Sequence, residues 1–267
     1  MREHPLRREK EDQDDDVREG EHPPPLACRI ARADALAALR ELPEGSCGLL
    51  LADPPYCSGG LTRTERKAAP SRKYQQDGAA KFADFPGDQR DERSFVLWSV
   101  LWMSEAWRAL EPGASALVFS DWRQLANTAD AVQAAGFVFR GIVPWAKTQC
   151  RPQPNSFRAE CEYVVWATKG DIDRSPSDSA KYLPGIYRCA APTAQRGREH
   201  MNQKPVALLR DLMAISPDGC TVLDPFMGSG STGVACAETG RSFVGIEMTE
   251  HYYGVARARI AEAYSRG

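Results

Sequence analysis

Short apolar runs alternate with amphipathic stretches along most of this chain. Residues 49–52, 116–119, 221–223 and 243–246 are almost entirely apolar, which is typical of strands buried on both faces of a parallel sheet. Between such runs, apolar residues recur at spacings of three and four, which predicts helices. Strands that alternate with helices in this way predict an α/β fold with a doubly wound, mainly parallel sheet.

The same patterns give the bounds of the remaining predicted elements. The predicted helices cover residues 34–42, 94–110, 122–135, 204–215, 231–238 and 250–264. Further predicted strands cover residues 28–31, 137–145 and 163–167. Two long segments, 57–92 and 169–203, are polar and show no sustained period. Long segments of this kind in compact domains are usually functional or disordered.

An unusual tetrapeptide follows the buried strand 49–52. Its residues are Asp53, Pro54, Pro55 and Tyr56. The prolines end the strand, because each fixes its own φ and neither can donate a ladder hydrogen bond. A carboxylate, two carbonyls and an aromatic ring are thereby held at a strand's carboxyl end, the edge where open α/β sheets bind ligands. Such a pocket suits a flat ring that bears an amino group, although the tetrapeptide taken alone fits a simple strand stop equally well.

A second motif combines an acid with a glycine turn. The strand 221–223 leads into the segment Asp224-Pro225-Phe226-Met227-Gly228-Ser229-Gly230, and a helix containing Thr232 follows. Glycines at a strand-to-helix turn let the backbone approach a ligand closely. Glu247 ends the next strand, where an acid can bind ribose hydroxyls. Because Asp224 would repel a pyrophosphate and attract a cation, this layout favours S-adenosylmethionine over a dinucleotide.

Length, charge and cysteine content narrow the classes of protein that remain. The 267 residues suffice for one large α/β domain, and two small domains are possible. The formal net charge is −2, but residues 1–21 hold five basic and nine acidic side chains, a net of −4. We therefore expect residues 1–25 to be a disordered charged tail. The eight cysteines form no Cys-x-x-Cys pair and no zinc-binding spacing, so no metal site is expected.

The order of the motifs resembles that of the β-class amino-methyltransferases of DNA, which act on adenine N6 or cytosine N4. In that family the catalytic tetrapeptide precedes the cofactor glycine motif, as Asp53–Tyr56 precedes Asp224–Gly230 here. Residues 200–206, His-Met-Asn-Gln-Lys-Pro-Val, resemble the family's His-Pro-Thr-Gln-Lys-Pro-Val, and residues 33–36 resemble its Gly-Asp-x-Leu segment. Further matches are Phe157-Arg158, Glu162-Tyr163 and Thr168-Lys169-Gly170, so the resemblance covers most of residues 29–264.

The resemblance implies a Rossmann-like methyltransferase fold with a seven-stranded sheet, circularly permuted so that the cofactor half comes last. The expected divisions of the domain 26–267 are a catalytic half 26–168 with a DNA-contacting loop 57–92, a short target-recognition insert 169–203 and a cofactor half 204–267. Departures from the family pattern are Met201-Asn202 for Pro-Thr, Cys161 for His and Ser231 for Thr. They affect at most local contacts to the cofactor.

A role for each motif follows from the chemistry of the transfer. An exocyclic amine is a poor nucleophile, so acceptors for its two hydrogens, the Asp53 carboxylate and the Pro54 carbonyl, can favour a pyramidal nitrogen and stabilise its developing charge. Tyr56 is expected to stack on the base, which must be flipped out of the duplex. The predicted catalytic set is Asp53, Pro54, Pro55 and Tyr56.

The predicted cofactor site combines the glycine turn with residues that only the resemblance suggests. We expect Asp224 and Phe226–Gly230 around the methionine portion of S-adenosylmethionine and Glu247 on its ribose. The resemblance places Asp34 near the adenine amino group, and Gln203 and Lys204 near the methionine end. The full predicted set is Asp34, Asp53, Gln203, Lys204, Asp224, Pro225, Phe226, Gly228, Ser229, Gly230, Thr232 and Glu247. Asp34 is equally well placed as a helix N-cap, and Lys204-Pro205 as a helix start.

Double-stranded DNA is the expected partner, and the irregular segments supply the positive charge for it. The predicted DNA-binding residues are Arg63, Arg66, Lys67, Arg72, Lys73, Arg188, Arg196 and Arg198. No run resembles a signal peptide or approaches membrane-spanning length, so we expect a cytoplasmic protein, associated with the nucleoid when bound to DNA. A homodimer is possible, and the sequence does not indicate a restriction partner.

Several functions remain compatible with the sequence. Adenine N6 is favoured because the tetrapeptide begins with Asp, whereas the cytosine-N4 relatives more often carry Ser there. Methylation of RNA or of a protein amide is disfavoured by the permuted motif order. A catalytically silent nucleic-acid-binding regulator is disfavoured by the intact Asp53, Tyr56, Asp224 and Glu247, and a nicotinamide-dependent dehydrogenase by Asp224.

Overall fold

The computed structural model describes residues 27–56, 90–150, 152, 154–172, 175, 180–192 and 203–266. The expected tail 1–25 and nearly all of the expected loop 57–92 lie outside the described residues. None of the helices in the described ranges is long and apolar enough to cross a membrane.

The strands of the described chain form a single sheet. They are β1 (Cys28–Arg32), β2 (Cys47–Ala52), β3 (Leu110–Ser120), β4 (Val138–Lys147), β5 (Cys161–Thr168), β6 (Tyr187–Cys189), β7 (Thr221–Asp224) and β8 (Ser242–Glu247). Their order across the sheet is β1-β8-β7-β2-β3-β5-β4-β6. Neighbouring strands are parallel except at β5, which runs antiparallel to β3 and β4. The predicted α/β fold with a mainly parallel sheet is therefore confirmed.

Within the described residues the sheet has eight strands, one more than the seven that the resemblance implied. The additional strand is β6, which pairs in parallel with β4 and places Tyr187 opposite Trp145. It lies inside the segment 169–203 that was expected to be irregular. A strand of three residues is too short to show an alternating pattern in the sequence, which is why it was not predicted.

The helices of the described chain lie in two layers, one on each face of the sheet. They are α1 (Ala35–Arg40), α2 (Glu92–Ala109), α3 (Leu125–Ala134), α4 (Val206–Met213), α5 (Ser231–Glu238) and α6 (Glu250–Ser265). Residues of α1, α2 and α3 share one hydrophobic cluster, and residues of α4, α5 and α6 share the other. Strand β2 contributes Leu50 and Ala52 to the first cluster and Leu49 and Leu51 to the second. The sheet is thus covered on both faces, as a doubly wound fold requires.

Three helix ends differ from the prediction for local reasons. Helix α2 begins at Glu92 because the carboxylate of Asp91 caps it, accepting a hydrogen bond of 2.9 Å from the Ser94 N–H. Its other end passes directly into β3, so this strand begins at Leu110 and not at residue 116, where the predicted strand begins. Pro205 is the N-cap of α4 and not its first helical residue.

A crevice forms where the chain changes direction across the sheet. Strands β2 and β7 are neighbours, but the chain continues from β2 towards β3 on one side and from β7 towards β8 on the other. The loops that leave the carboxyl ends of such a pair diverge, which opens a ligand-binding site between them. The two sequence motifs follow these two strands.

Replacing Gly233 of α5 by alanine should destabilise the fold, because a Cβ there would lie 2.7 Å from Ile260 Cγ1 and 2.9 Å from Phe243 Cε1. Overpacking of this kind costs roughly 1–3 kcal/mol. The matched control is Gly254, a helical glycine of α6 at which an added Cβ would meet no atom of the described residues within 4 Å. Gly254→Ala should gain about 0.5–1 kcal/mol. Urea unfolding measures both, and a Gly233→Ala protein as stable as Gly254→Ala would contradict the packing described.

Candidate functional site

Four acidic side chains meet at one edge of the sheet because their strands run in the same direction. Asp34 lies two residues after β1 and Asp53 directly follows β2, whereas Asp224 and Glu247 are the last residues of β7 and β8. These four strands are consecutive neighbours in the sheet. All four residues line one cavity of about 230 Å³. Two motifs separated by about 170 residues are thereby brought into one site.

Most of the predicted catalytic and cofactor residues line this cavity. Those that do are Asp34, Asp53, Pro54, Pro55, Tyr56, Gln203, Lys204, Asp224, Pro225, Phe226, Gly228, Ser229, Thr232 and Glu247. Gly230 does not line it and instead shapes the turn below. Its φ of +81° and a Cβ position only 3.0 Å from Ala256 Cα leave no room for a side chain.

The tetrapeptide folds back on itself through a hydrogen bond. The Tyr56 hydroxyl donates to Asp53 Oδ1 at 2.6 Å, which fixes the carboxylate at the end of β2. Burial raises the pKa of Tyr56 well above its usual range, and the neighbouring carboxylate of Asp53 raises it further. The tyrosine therefore remains a hydrogen-bond donor throughout the physiological pH range.

The second oxygen of Asp53 binds a buried lysine. Lys204 Nζ lies 2.6 Å from Asp53 Oδ2 and 3.2 Å from Glu162 Oε2, and only 6% of the lysine side chain is exposed. Lys147 Nζ in turn lies 2.5 Å from Glu162 Oε1. The cluster joins the segment before α4 to strands β2, β4 and β5. Lys204, which was predicted to bind the cofactor, thus contacts the tetrapeptide Asp53–Tyr56 directly.

Burial and charge act in opposite directions on these groups. Burial raises the pKa of Asp53, and the ammonium of Lys204 only partly offsets that effect. Burial also disfavours the ionised form of Glu162, but Lys204 and Lys147 outweigh it and hold the pKa of Glu162 below its ordinary value. For Lys204, burial is outweighed by the carboxylates of Asp53 and Glu162, which raise its pKa. Lys204 is therefore a permanent cation in the site.

The glycine turn is held by the two acids of β7 and β8. Asp224 Oδ1 accepts a hydrogen bond of 2.9 Å from the Phe226 N–H, and Glu247 Oε2 accepts one of 3.1 Å from the Gly228 N–H. From α6, the Arg259 guanidinium donates to the Ser229 hydroxyl oxygen at 3.0 Å. The turn ends at α5, whose first residue, Ser231, has a buried hydroxyl with no hydrogen-bond partner among the described residues.

The pKa of Asp224 is unusually high for an aspartate. Its burial raises the pKa to about 7, although hydrogen bonds from the Thr232 side chain and the Phe226 backbone favour the carboxylate. The nearby carboxylates of Asp53 and Glu247 disfavour it. A carboxyl group in this state can accept a cation at neutral pH at little cost, since binding simply replaces the proton.

Asp34 occupies the N-cap of α1, where its Oδ1 accepts a hydrogen bond of 3.0 Å from the Ala37 N–H. The N-cap interpretation is therefore confirmed. The residue also lines the cavity, so the two roles weighed for it are compatible.

Sequence reasoning missed an aromatic wall and a buried acid. Trp98 lines the cavity, with its ring centroid 5.5 Å from that of Phe226 and with the Arg90 guanidinium 4.2 Å above it. Trp98 belongs to the apolar face of α2, so the pattern indicated only a core residue. Glu162 was noted only as part of the family resemblance. The sequence signal that could have identified Glu162 is its charge, because the other residues of β5 are uncharged.

The predicted DNA-binding residues are mostly outside the described part of the chain. Arg63, Arg66, Lys67, Arg72, Lys73, Arg196 and Arg198 all fall there. Arg188 is exposed in β6, at the opposite end of the sheet from β1. Strands β3, β5 and β4 separate it from β2, and it does not line the cavity.

The chain is similar to known methylases over most of its length. A family model described as DNA methylase matches residues 48–258. YubD of Escherichia coli K12, provisionally named a methylase, is 29% identical over 235 residues, which are 87% of this chain and 90% of YubD. The type II methyltransferase M2.DpnII of Streptococcus pneumoniae is 25% identical over 249 residues, which are 86% of this chain and 88% of that protein.

Among solved structures, TTHA0409 of Thermus thermophilus shares the fold. It is provisionally named a DNA modification methylase and was solved in complex with S-adenosyl-L-methionine. The TM-score is 0.64 at 22% sequence identity, and the match covers 89% of this chain and 95% of that one.

Asp224→Asn should change the pH dependence of stability. A carboxyl whose pKa is near 3.8 when unfolded and about 7 when folded stabilises the fold at low pH and loses that contribution as the pH rises through 7. The wild type therefore loses stability between pH 5 and pH 8 that the variant does not lose. The unfolding free energy of Asp224→Asn minus that of the wild type should increase by roughly 1–3 kcal/mol when the pH is raised from 5 to 8. Denaturant unfolding at the two pH values measures this. Asp130→Asn, at an exposed position of α3, should show no such gain. If the stability of the two variants depended on pH in the same way, the raised pKa of Asp224 would be contradicted.

Proposed function

This chain belongs to the DNA methylase family, and on that basis we propose that it transfers a methyl group from S-adenosylmethionine to the N6 amino group of an adenine in double-stranded DNA. The observation that carries the proposal is the position of Asp53. Its carboxylate ends β2 beside the glycine turn of β7, so an acceptor for an amino group and a cofactor turn face one cavity.

The cavity has the donors and acceptors that S-adenosylmethionine needs. When bound, this cofactor supplies an electrophilic methyl group on a sulfonium. The Ser231 hydroxyl, which has no partner within the described residues, and the amino end of α5 suit its carboxylate, and Asp224 suits a cationic group. Glu247 would bind the ribose hydroxyls. The wall of Trp98 and Phe226, with Asp34 nearby, would hold the adenine ring.

The tetrapeptide would hold the target amine. The Asp53 carboxylate and the Pro54 carbonyl accept its two hydrogens, which favours a pyramidal nitrogen and stabilises the positive charge that develops on it. Tyr56 has two tasks, because its hydroxyl fixes Asp53 while its ring offers a surface for the base. Positioning for an in-line displacement is the main contribution of these residues.

The geometry suggests one change to the roles expected from the sequence. Lys204 was assigned to the methionine end of the cofactor, yet its ammonium binds Asp53 and Glu162. We therefore assign it to the catalytic centre. Gln203, its neighbour in the chain, remains a candidate for the cofactor because it lines the same cavity.

The target base must leave the duplex. The acceptor groups of Asp53 lie in a recess at the sheet edge, and an amino group inside a stacked base pair cannot reach such a position. Flipping costs a few kcal/mol, which contacts to the DNA backbone can offset. The basic residues of segments 57–92 and 169–203 are the proposed source of these contacts.

The choice of adenine can be tested by product analysis. DNA incubated with the protein and S-adenosylmethionine, digested to nucleosides and separated by liquid chromatography with mass detection, should contain N6-methyladenine. The expectation rests on the Asp that begins the tetrapeptide. N4-methylcytosine alone would show that the base assignment is wrong while leaving the methyltransferase proposal intact.

Asp53→Ala should abolish most of the activity while sparing the cofactor site. The loss of a charged acceptor at the reacting amine should lower the single-turnover rate about 100-fold or more. S-adenosylmethionine affinity, measured by calorimetry, should change little. Asp130→Ala, an exposed change on α3, serves as the control and should keep the wild-type rate. Near-wild-type methylation by Asp53→Ala, with normal cofactor binding, would refute the role of Asp53.

A further inference from the structure

Glu162 is a buried acid to which the proposed reaction gives no role. It is the charged residue of β5, and only 17% of its side chain is exposed. Its Oε1 binds Lys147 Nζ at 2.5 Å. Its Oε2 lies 3.2 Å from Lys204 Nζ and 3.4 Å from the Tyr56 hydroxyl. Burying a carboxylate is costly, so a retained one needs strong partners.

Glu162 and Asp53 compete for the same cation. The Lys204 ammonium has three donor hydrogens and touches a carboxylate oxygen of each acid, at 2.6 Å and 3.2 Å. Its other neighbours include the rings of Phe119 and Tyr56, with centroids 5.0 and 5.4 Å from Nζ. The positive charge of Lys204 is therefore divided between two acids, and only one of them belongs to the tetrapeptide.

This division affects the reaction because positive charge develops on the attacked amine. An ammonium bound to Asp53 alone would cancel most of the negative field of that carboxylate at short range. Sharing Lys204 with a second acid weakens this cancellation, while the remaining lone pairs of the Asp53 carboxylate accept a hydrogen of the amine.

We propose that Glu162 is a positioning residue that takes a share of the Lys204 ammonium and so keeps the Asp53 carboxylate available to the amino group of the target base. The proposal rests on the function proposed above. The four charges of the cluster balance, with Asp53 and Glu162 against Lys204 and Lys147. Removing the Glu162 charge leaves one excess positive charge beside the reacting amine.

A double-mutant cycle distinguishes this role from a purely structural one. Glu162→Gln should lower the single-turnover rate of methyl transfer about tenfold or more, because Lys204 then binds Asp53 alone. Lys204→Met should also be slow, because it leaves two acids without their shared cation. The double variant Glu162→Gln/Lys204→Met should be faster than either single variant, because it restores the charge balance of the cluster, with Asp53 against Lys147. Cofactor and DNA affinities should stay within about threefold of wild type.

The matched control is Glu160→Gln, the same substitution two residues away at an exposed position before β5. It should retain the wild-type rate. A readout that needs no cofactor is the titration of Asp53, followed by carbon NMR of labelled aspartates in the protein alone. Glu162→Gln should lower the pKa of Asp53, because the Glu162 charge raises it in the wild type. An unchanged pKa of Asp53 would overturn the proposal.

The outcomes separate the two proposals. A wild-type protein that methylates no DNA refutes the proposed function. An active wild type whose Glu162→Gln variant matches Glu160→Gln refutes the role of Glu162. A double variant no faster than Glu162→Gln also refutes it, because a structural defect would not be relieved by a second substitution.

Discussion

The buried ammonium of Lys204 is the interaction on which the site depends. It comes from the segment that precedes α4 and binds acids of β2 and β5, so one charge connects three separate parts of the chain. With Tyr56 on the other oxygen, it fixes the Asp53 carboxylate at the end of its strand. Because an unpaired charge at such a depth is costly, each member of the cluster requires the others. The orientation of Asp53 is thereby linked to the packing of the part of the chain that contains the glycine turn.

The same edge of the sheet gathers acidic side chains. Parallel strands deliver Asp34, Asp53, Asp224 and Glu247 to one crevice. Burial raises the pKa of Asp224 there to about 7, and repulsion from the carboxylates of Asp53 and Glu247 contributes to the shift. A ligand with a sulfonium and an ammonium relieves this repulsion, whereas a pyrophosphate would add to it. The electrostatics of the crevice therefore favour the cofactor that the family uses and disfavour a dinucleotide.

Much of this arrangement could be predicted from the sequence, since strands that end in Asp53, Asp224 and Glu247 must place these acids at a common edge. What the sequence could not supply were contacts between distant segments. Nothing local to Lys204 indicates that it binds Asp53, 151 residues away. Trp98 follows the apolar period of α2 and so resembles a core residue, although it also lines the cavity. Strand β6 is too short to leave a pattern, and its pairing with β4 is a tertiary effect.

The most direct test of the central claim is a crystal structure of the protein with a non-reactive analogue of S-adenosylmethionine and a duplex that contains its target site. A flipped adenine should lie with its amino nitrogen about 3 Å from both an Asp53 carboxylate oxygen and the Pro54 carbonyl oxygen. The analogue should occupy the crevice between the Asp224 turn and Glu247. A base that binds elsewhere, or an amino group that makes no contact with Asp53, would contradict the account.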